Sequence, residues 1–448
     1  MKKTVGLSFI LLSLIALLGG LFFGCIAAFQ YVLPDFLKEL IPFYKIRPLH
    51  VSLVISWIFL ASVGGVYHAL PKILEKPLYS NKMANWHYWT FLLTGIVIII
   101  SYFLGYFGGR EYWMFLPVLS IPIFISWIFL IINFFASVKN YNVNLFTQTE
   151  GTNKMVWPVY LWMWATGIIF FFLTFSEAYL WVFPYFRENI VREMTVQWKA
   201  YGSLIGSWNM LCYGLAIYVM EKTSGKRISC LPISYFLYFL GLINLILGWS
   251  HHIYILPAAE WIRLLGYAIS MTELIILAKM IWDWKGLIVK GIKLHSLPYR
   301  FLLSSDFWIV ANLVLAITIS VPAANIYTHG THITVAHSMG STIGINTMIL
   351  LATIFYMLSE NKKNTYRKSE LKMIETGFWI ANISLFIFWI SLIASGIIKS
   401  FYMTQNIVFQ QIMISLHPYF WVLALSGFTL FIGVILITIP LIKQLSIK

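Results

Sequence analysis

Charged side chains are scarce in this sequence. Asp, Glu, Lys and Arg make up 10% of its 448 residues, whereas hydrophobic residues make up 60%. Soluble globular domains carry about 25% charged residues, so this composition excludes an ordinary water-soluble enzyme. Long polar stretches are missing as well, and no segment is large enough to form a separate soluble domain. The sequence therefore predicts that lipid surrounds most of the folded chain.

Cysteine is almost absent. Cys25, Cys212 and Cys230 lie in or beside apolar segments and show no metal-ligand spacing, and the sequence contains no C-x-x-C-H attachment site for a c-type haem. Any covalently attached haem would therefore belong to a partner protein. The first apolar run is too long for the core of a signal peptide, so we predict that it is a helix of the folded protein.

Apolar runs of about 20 residues, each long enough to cross roughly 30 Å of hydrocarbon, recur along the whole sequence. The predicted spans are 5–33, 47–71, 86–107, 115–138, 155–184, 198–221, 232–256, 260–285, 305–325, 332–358, 374–398 and 415–442. We predict an all-α integral membrane protein, a twelve-helix bundle in which residues 1–448 form a single transmembrane domain.

The net charge of +15 reflects membrane topology. Most Lys and Arg residues lie in alternate short loops rather than in one patch, which argues against a nucleic-acid partner. By the positive-inside rule, the loops that hold them face the cytoplasm together with both termini. The sequence thus predicts a multi-pass protein that has lipid as its first partner.

Histidines cluster near one end of the predicted spans. His50, His251, His252 and His337 come from three spans and share the outer third of the bilayer. Clustered imidazoles in hydrocarbon are typical of a metal or haem site, because each ring needs a polar partner. His251 and His252 can share a metal if it lies between their directions or if the helix is distorted. In the alternative, one ring is hydrogen-bonded to a neighbouring helix and the other faces a cavity.

His337 and Met339 lie on opposite sides of one predicted helix, because two residues rotate a helix by about 200°. Such a helix can ligate a haem on each side, and Met339 with His50 would form a His/Met axial pair. Alternatively, Met339 is an ordinary apolar filler. We predict structural roles at helix ends or in loops for four other histidines: His68, His87, His295 and His417.

Several stretches carry a resemblance to a known family. They are Ile46–His50, Gly109–Tyr112, His251–His252, Leu264–Glu273 and Thr328–His337. In order and spacing these resemble the large subunit of bacterial nitric oxide reductase, a branch of the haem-copper oxidase superfamily to which the C-type oxidases are also related. The similarity covers almost the whole chain and implies the twelve-helix bundle of the haem-copper oxidase subunit I type. It also implies the bacterial inner membrane, with the haems toward the periplasmic side.

The resemblance implies a set of cofactors. These are two haems, expected to be b-type, a non-haem metal, expected to be iron, with copper or no metal as alternatives, and a calcium ion. His50 would ligate the low-spin haem and His337 the high-spin haem, while His251 and His252 would hold the non-haem metal. The remaining residues that the resemblance marks are His329 and His332 beside the haem propionates, Glu111 at the calcium ion and Glu273 as an interior acid near the active site. The alternative for Glu273 is a buried protonated acid bonded across helices.

The sequence departs from the family pattern at three positions. Met339 replaces a histidine that binds the low-spin haem, which favours a His/Met haem over a lost or five-coordinate one. Gly202 or Ser203 replaces a third histidine at the non-haem metal, and Gly206 replaces a carboxylate one turn later. Two ligands make a weak site for iron.

Glu177 is our candidate for the missing ligand. It lies roughly 10 Å deep in the fifth predicted span, a depth similar to that of His251. With the two histidines it would give a two-His-one-carboxylate set suited to Fe(II). The alternatives are that Glu177 faces a proton path or pairs with Lys199.

The resemblance implies an oxidoreductase of the respiratory chain. C-type oxidases carry an active-site tyrosine where this sequence has Ile246, which favours nitric oxide over oxygen as substrate. We expect reduction of nitric oxide to nitrous oxide, with electrons from a membrane-anchored or soluble c-type cytochrome and protons through Glu273 and Glu177. The alternatives are oxygen reduction or nitric oxide dismutation, and a non-catalytic haem subunit that binds gas or relays electrons without the non-haem metal.

Overall fold

The computed structural model describes residues 4–139, 147–149, 152–276, 279, 296–360 and 366–446, and these form a helical bundle. A short antiparallel hairpin, β1 (Thr147–Thr149) and β2 (Thr152–Val156), is the exception. The α-helices are α1 (Val5–Val32), α2 (Phe43–Ile73), α3 (Asn81–Leu104), α4 (Ser120–Lys139), α5 (Val159–Glu177), α6 (Pro184–Arg187), α7 (Ile190–Ser224), α8 (Pro232–Leu247), α9 (Glu260–Met271), α10 (Leu297–Ser320), α11 (Pro322–Thr328), α12 (His332–Met339), α13 (Met348–Ser359), α14 (Lys368–Thr404) and α15 (Phe409–Ser446). The prediction of an all-α membrane protein is confirmed.

Eleven helical segments within the described ranges are long and apolar enough to cross a membrane. They correspond to eleven of the twelve predicted spans. The remaining prediction, 260–285, begins with the described helix α9, and most of its second half lies outside the described residues, as does His295.

The helices run alternately up and down, so the bundle has two chemically different ends. We call the end where α2 and α13 finish the basic face, because Lys72, Lys222 and Arg367 lie there. The opposite end, where α2 and α12 begin, is the histidine face. It holds His50, and the segment containing His251 and His252 also lies toward it.

Helices α2, α7 and α13 pack against one another at the centre of the bundle. Helix α1 covers α2, α5 covers α7, and α14 and α15 form a long antiparallel pair. Nearly every side chain of α13 is buried, because other helices surround it. This central trio connects the basic face to the histidine face.

Regular helix breaks down where the candidate ligands lie. The predicted spans 232–256 and 332–358 are both present, but each changes its type of helix along its length. The first ends as α-helix at Leu247 and continues as a 3₁₀ helix over Gly248–Ile253. The second changes to a π-helix over Gly340–Thr347, directly after Met339. Both segments begin with a glycine, and such irregular turns are frequent at functional sites.

One correction concerns the predicted span 305–325. Helix α10 ends at Ser320 and a new helix begins at Pro322. A proline disfavours helical backbone at the residue before it, and Val321 accordingly has an extended backbone. The resulting break turns the chain at the histidine face, ahead of His329 and His332.

Candidate haem site

His50 lies in the second turn of α2, where its ring contacts the backbone of α1. Its Nδ1 is 2.8 Å from the carbonyl oxygen of Gly20. A carbonyl can only accept a hydrogen bond, so Nδ1 carries the proton and Nε2 keeps its lone pair. Histidines that ligate metals commonly donate their other ring nitrogen to a backbone carbonyl in this way. The ring is thus oriented as an axial haem ligand requires.

Two glycines of α1 allow the close approach of α2, and one of them, Gly24, makes room for the imidazole. A Cβ atom on Gly24 would lie 2.7 Å from Nδ1 of His50, and one on Gly20 would lie 3.2 Å from the backbone nitrogen of Val54. Both distances are too short for a larger residue without displacement. Gly20 and Gly24 form a Gly-x-x-x-Gly pattern, which lets membrane helices approach closely. Neither glycine was among the predicted site residues, although this pattern is readable in the sequence.

Helix α12 carries His337 and Met339, and its regular geometry directs them to different sides. Nδ1 of His337 is buried and has no hydrogen-bond partner within the described structure. Met339 is half-buried and packs against the main apolar core. A neutral imidazole and a thioether in such surroundings fit haem ligation, because both donate a lone pair without adding charge to the membrane.

His251 and His252 come together because the helix is distorted at this point. Their ring centroids are 4.3 Å apart in the 3₁₀ turn. Nδ1 of His251 lies 3.1 Å from the hydroxyl of Ser270 on α9. The ring of His252 stacks on that of Trp198 on α7, with the ring centroids 4.9 Å apart and an angle of 7° between the planes. The ring centroid of Trp198 also lies 6.1 Å from that of His329. These rings form one aromatic cluster.

The cluster extends toward α12. The imidazoles of His337 and His329 lie within Coulombic range of both His251 and His252. The structure thus brings together candidate ligands from the turn after α8, from α12 and from the loop ahead of α12. The aromatic partner, Trp198, was not predicted from the sequence, since an indole in an apolar helix carries no signal of its own.

The donor set of this cluster does not fit the non-haem metal. A Cβ atom on Gly202 would lie 2.5 Å from Cβ of Trp249, and one on Gly206 would lie 2.6 Å from Cγ of Leu245. The hydroxyl of Ser203 donates to the carbonyl of Leu245 at 2.8 Å. Side chains from the next helix therefore fill the space at the positions where the family pattern has ligands. Among the described residues, no three His, Cys, Asp or Glu side chains form a metal-binding group.

Glu177 lies at the end of α5 and forms an ion pair with Lys199 of α7. Its second oxygen, Oε2, is buried without a hydrogen-bond partner in the described structure. This is the pairing with Lys199 that the sequence left open, and no described contact joins Glu177 to His251 or His252. Glu273 follows α9, is half-buried, and lies within Coulombic range of Tyr213 on α7.

Glu111 lies at the histidine face and accepts a hydrogen bond from Arg47 at 2.6 Å. The guanidinium thus supplies positive charge at the residue for which the resemblance implies calcium. The next side chain, Tyr112, is half-buried, and the loss of hydration together with the Glu111 carboxylate raises its pKa to about 12. Arg110 pairs with Glu193 at 2.6 Å. The loop is therefore tied to α2 and to α7 by ion pairs.

His329 and His332 flank the turn between α11 and α12. Burial lowers the pKa of His329, which keeps it neutral at pH 7. The ring of His332 lies 5.2 Å from Phe420, and its Nδ1 is buried without a partner among the described residues. Both rings are placed at the histidine face, beside the candidate axial ligands on α12.

Three of the four histidines expected to be structural have protein partners. Nδ1 of His87 lies 3.1 Å from the hydroxyl of Tyr67, and Nε2 of His68 lies 3.1 Å from Oε2 of Glu360. His417 donates from Nε2 to the carbonyl of Val32 at 3.2 Å. They lie apart from the cluster at His251.

Comparison with known proteins identifies the family of this chain. Residues 4–429 match the family described as cytochrome C and quinol oxidase polypeptide I. Proteins of this family are membrane oxidoreductases that bind haems, and the fold described above agrees with that class. The chain belongs to this family, the haem-copper oxidase subunit I proteins.

Individual relatives are distant. The chain is 24% identical to a nitric oxide reductase subunit of Stutzerimonas stutzeri, over 97% of this chain and 93% of the relative. It is 23% identical to the Cbb3-type cytochrome c oxidase subunit CcoN1 of the same organism, over 88% and 84% respectively. A haem-copper terminal oxidase dimer solved by cryo-EM shares the fold with a TM-score of 0.76 at 15% identity, covering 99% of this chain and 84% of that one.

Proposed function

We propose that this protein reduces nitric oxide to nitrous oxide in the bacterial inner membrane, as a single transmembrane domain with the histidine face toward the periplasm. The observation that carries the proposal is the convergence of His251, His252 and His329 with His337 of α12. The similarity to the nitric oxide reductase of Stutzerimonas stutzeri supports it. Ile246, which stands where C-type oxidases have a tyrosine, favours nitric oxide over oxygen.

The residues for the haems are assigned as follows. His50 and Met339 would hold a low-spin haem, expected to be b-type, and His337 would hold a high-spin haem. His329 and His332 would lie by the propionates, and Glu111 would bind calcium. When bound, the haems supply electron transfer and a binding position for the gas. The chain orients the axial ligands through contacts such as that of His50 with Gly20 and excludes water by packing.

Electrons would come from a c-type cytochrome, soluble or membrane-anchored, at the histidine face. Two molecules of nitric oxide, two electrons and two protons give one nitrous oxide and one water. Glu273 would hold a proton close to the site, and the ion-paired Glu177 is a second candidate for this role. The aromatic cluster around Trp198 keeps the site apolar.

A second candidate function follows from the filled positions at Gly202 and Gly206. Without a third ligand, the protein would bind gas at the His337 haem, or relay electrons, without a non-haem metal. The two functions differ in turnover, since only the first requires steady consumption of nitric oxide.

The test is made on the purified protein with a reduced mediator. We expect a Soret band with low-spin and high-spin components, steady consumption of nitric oxide and formation of nitrous oxide. Elemental analysis gives the ratios of iron and copper to haem. Gas binding without turnover would overturn the reductase proposal in favour of the second function, and turnover of oxygen alone would identify an oxidase.

A further inference from the structure

Three buried polar atoms lie close to the point where α12 passes into the π-helix. They are Nδ1 of His337, Oδ1 of Asn312 on α10 and Nε1 of Trp389 on α14, and none of them has a hydrogen-bond partner within the described structure. Asn312 is 3% exposed and Trp389 is 8% exposed. Helices α10 and α14 both pack against α12 and against the π-helix. Buried polar groups are normally hydrogen-bonded, so three unpaired atoms in one region need an explanation.

Gly340 allows these side chains to approach α12. It is the first residue of the π-helix and lies three residues after His337, so the two are neighbours on the helix surface. A Cβ atom on Gly340 would lie 2.4 Å from Oδ1 of Asn312 and 3.2 Å from Nε1 of Trp389. The ring of His337 also lies beside the backbone of Asn312. Asn312 is therefore next to both Gly340 and the candidate haem ligand.

The hydrogen-bonding capacities of the three atoms are complementary. The indole Nε1 can only donate, and Nδ1 of a histidine that ligates iron through Nε2 must also donate. The amide oxygen of Asn312 has two lone pairs and can accept from both. Because two donors surround it, they select the orientation of the amide that presents oxygen rather than NH₂ to His337.

A simpler explanation is that Asn312 only joins membrane helices, as polar side chains often do. Asn382 of α14 shows what that role looks like, since its Oδ1 accepts from the hydroxyl of Ser304 and from the indole of Trp308, both on α10. Asn312 lies one turn beyond Trp308 on the same helix, yet its oxygen has no partner within the described residues. An unpaired buried amide oxygen beside a ligand helix is suited to a partner that becomes a fixed donor when the haem is bound.

We propose that Asn312 is a positioning residue for His337, with its Oδ1 accepting the Nδ1 proton of that histidine while Trp389 holds the amide in place. The inference rests on the proposed function, because it requires that His337 ligates a haem. A hydrogen bond at Nδ1 fixes the ring and makes Nε2 a stronger donor to the metal. A stronger donor favours oxidised iron, so this bond lowers the potential of the high-spin haem and strengthens the bond from His337 to its iron.

The experiment uses the purified full-length protein with its haems and without any gas. Resonance Raman spectra of the reduced protein give the stretching frequency of the bond between histidine and the high-spin haem iron, and an optical redox titration gives the midpoint potential. Asn312→Leu should lower that frequency and raise that potential. It should also speed transfer of the high-spin haem to a haem-scavenging protein about tenfold, within the range for loss of such an outer partner.

Asn382→Leu is the matched control, because it removes another amide between α10 and α14 whose oxygen is already satisfied. It should leave the frequency and the potential of the high-spin haem unchanged. Asn312→Asp keeps an oxygen acceptor at the same position and should hold the potential at or below the wild-type value. Trp389→Phe removes only the indole donor and should shift frequency and potential in the direction of Asn312→Leu by a smaller amount, which keeps the test decisive if Asn312→Leu does not fold.

Wild-type frequencies and potentials in both Asn312→Leu and Trp389→Phe would overturn the proposal, as would an Asn312→Asp variant that behaves like Asn312→Leu. The proposed function fails separately. A protein that shows the expected shifts but consumes no nitric oxide would keep this inference and lose the reductase assignment, whereas turnover without the shifts would do the reverse.

Discussion

Two regions at the histidine face use glycine in opposite ways. In the His50 region, Gly24 of α1 leaves a hollow that the imidazole of His50 occupies, and the carbonyl of Gly20 holds the ring there. In the His251 region, the corresponding hollows at Gly202 and Gly206 of α7 are filled by side chains of the neighbouring helix. The first arrangement orients a ligand, whereas the second leaves no room for one.

The difference shows that a glycine in a membrane helix creates space but does not decide what fills it. Membrane helices associate through close packing, so an empty hollow costs van der Waals contacts. The nearest side chain therefore occupies it. The side chains that fill the hollows of α7 are Leu245 of α8 and Trp249 of the 3₁₀ turn after it. Loss of a ligand from this helix is therefore coupled to closer packing of the two helices, and restoring the ligand alone would create a clash.

The largest effect is expected from Gly24→Val, which fills the hollow beneath His50. A Cβ at 2.7 Å from Nδ1 must push the ring out of its position. Overpacking of this kind costs about 1–3 kcal/mol, and the low-spin haem should be lost because its ligand moves. Optical spectra and the haem-to-protein ratio measure this outcome.

Gly95→Val provides the control for that variant, because nothing lies within 4 Å of a Cβ at position 95 on α3. It should keep both haems. A normal low-spin spectrum in Gly24→Val would contradict the role assigned to the α1 glycines.

Two substitutions test the His251 region by adding a ligand instead of displacing one. Gly202→His alone should lower the yield of folded protein, since the new Cβ would lie 2.5 Å from that of Trp249. Combining it with Trp249→Gly removes the clashing Cβ and adds a third imidazole beside the turn that holds His251 and His252. The double variant should bind a non-haem metal that the wild-type protein binds weakly or not at all, as measured by the ratio of metal to haem.

Trp249→Gly alone is the matched control and should gain no metal. Stoichiometric metal in Gly202→His with Trp249 still present would show that the hollow is not filled as described, and the comparison between the two regions would no longer hold.

Hydropathy alone predicts most of this fold, because the bilayer requires long apolar helices with internally satisfied backbones. The site was predictable only where it depends on residue type. His50 is a ligand candidate from sequence, but its orientation depends on a carbonyl of α1, thirty residues away. The approach of His251 and His252 depends on a 3₁₀ turn that hydropathy does not distinguish from α-helix. The filling of Gly202 by Trp249 is a tertiary contact and carries no local signal.

Met339 allows a finer test of the His50 region. If Met339 is the second axial ligand, Met339→His should convert a His/Met haem to bis-His and lower its midpoint potential, because thioether ligation raises the potential. Axial ligands tune haem potentials over about 0.8 V, and we expect a fall on the order of 0.1 V here. Redox titration followed optically measures it.

Met339→Leu complements this variant, since it removes the sulfur while keeping the volume. It should leave the low-spin haem five-coordinate. Identical potentials and spectra in the wild type and both variants would exclude Met339 as a ligand.

The smallest effect is expected from His329, which borders the His251 region through Trp198. Burial lowers the pKa of His329 below its ordinary 6.5, so the unfolded chain binds a proton more readily than the folded protein does. Folding is therefore penalised as the pH falls below about 6.5, with no penalty above it. His329→Gln should flatten the dependence of stability on pH below about 6.5. Thermal loss of the Soret band, followed from pH 7.5 to 5.5, measures this.

Thr328→Val alters the same turn without a titrating group and should keep the wild-type slope. An unchanged slope in His329→Gln would mean that the acid sensitivity of the His251 region arises elsewhere.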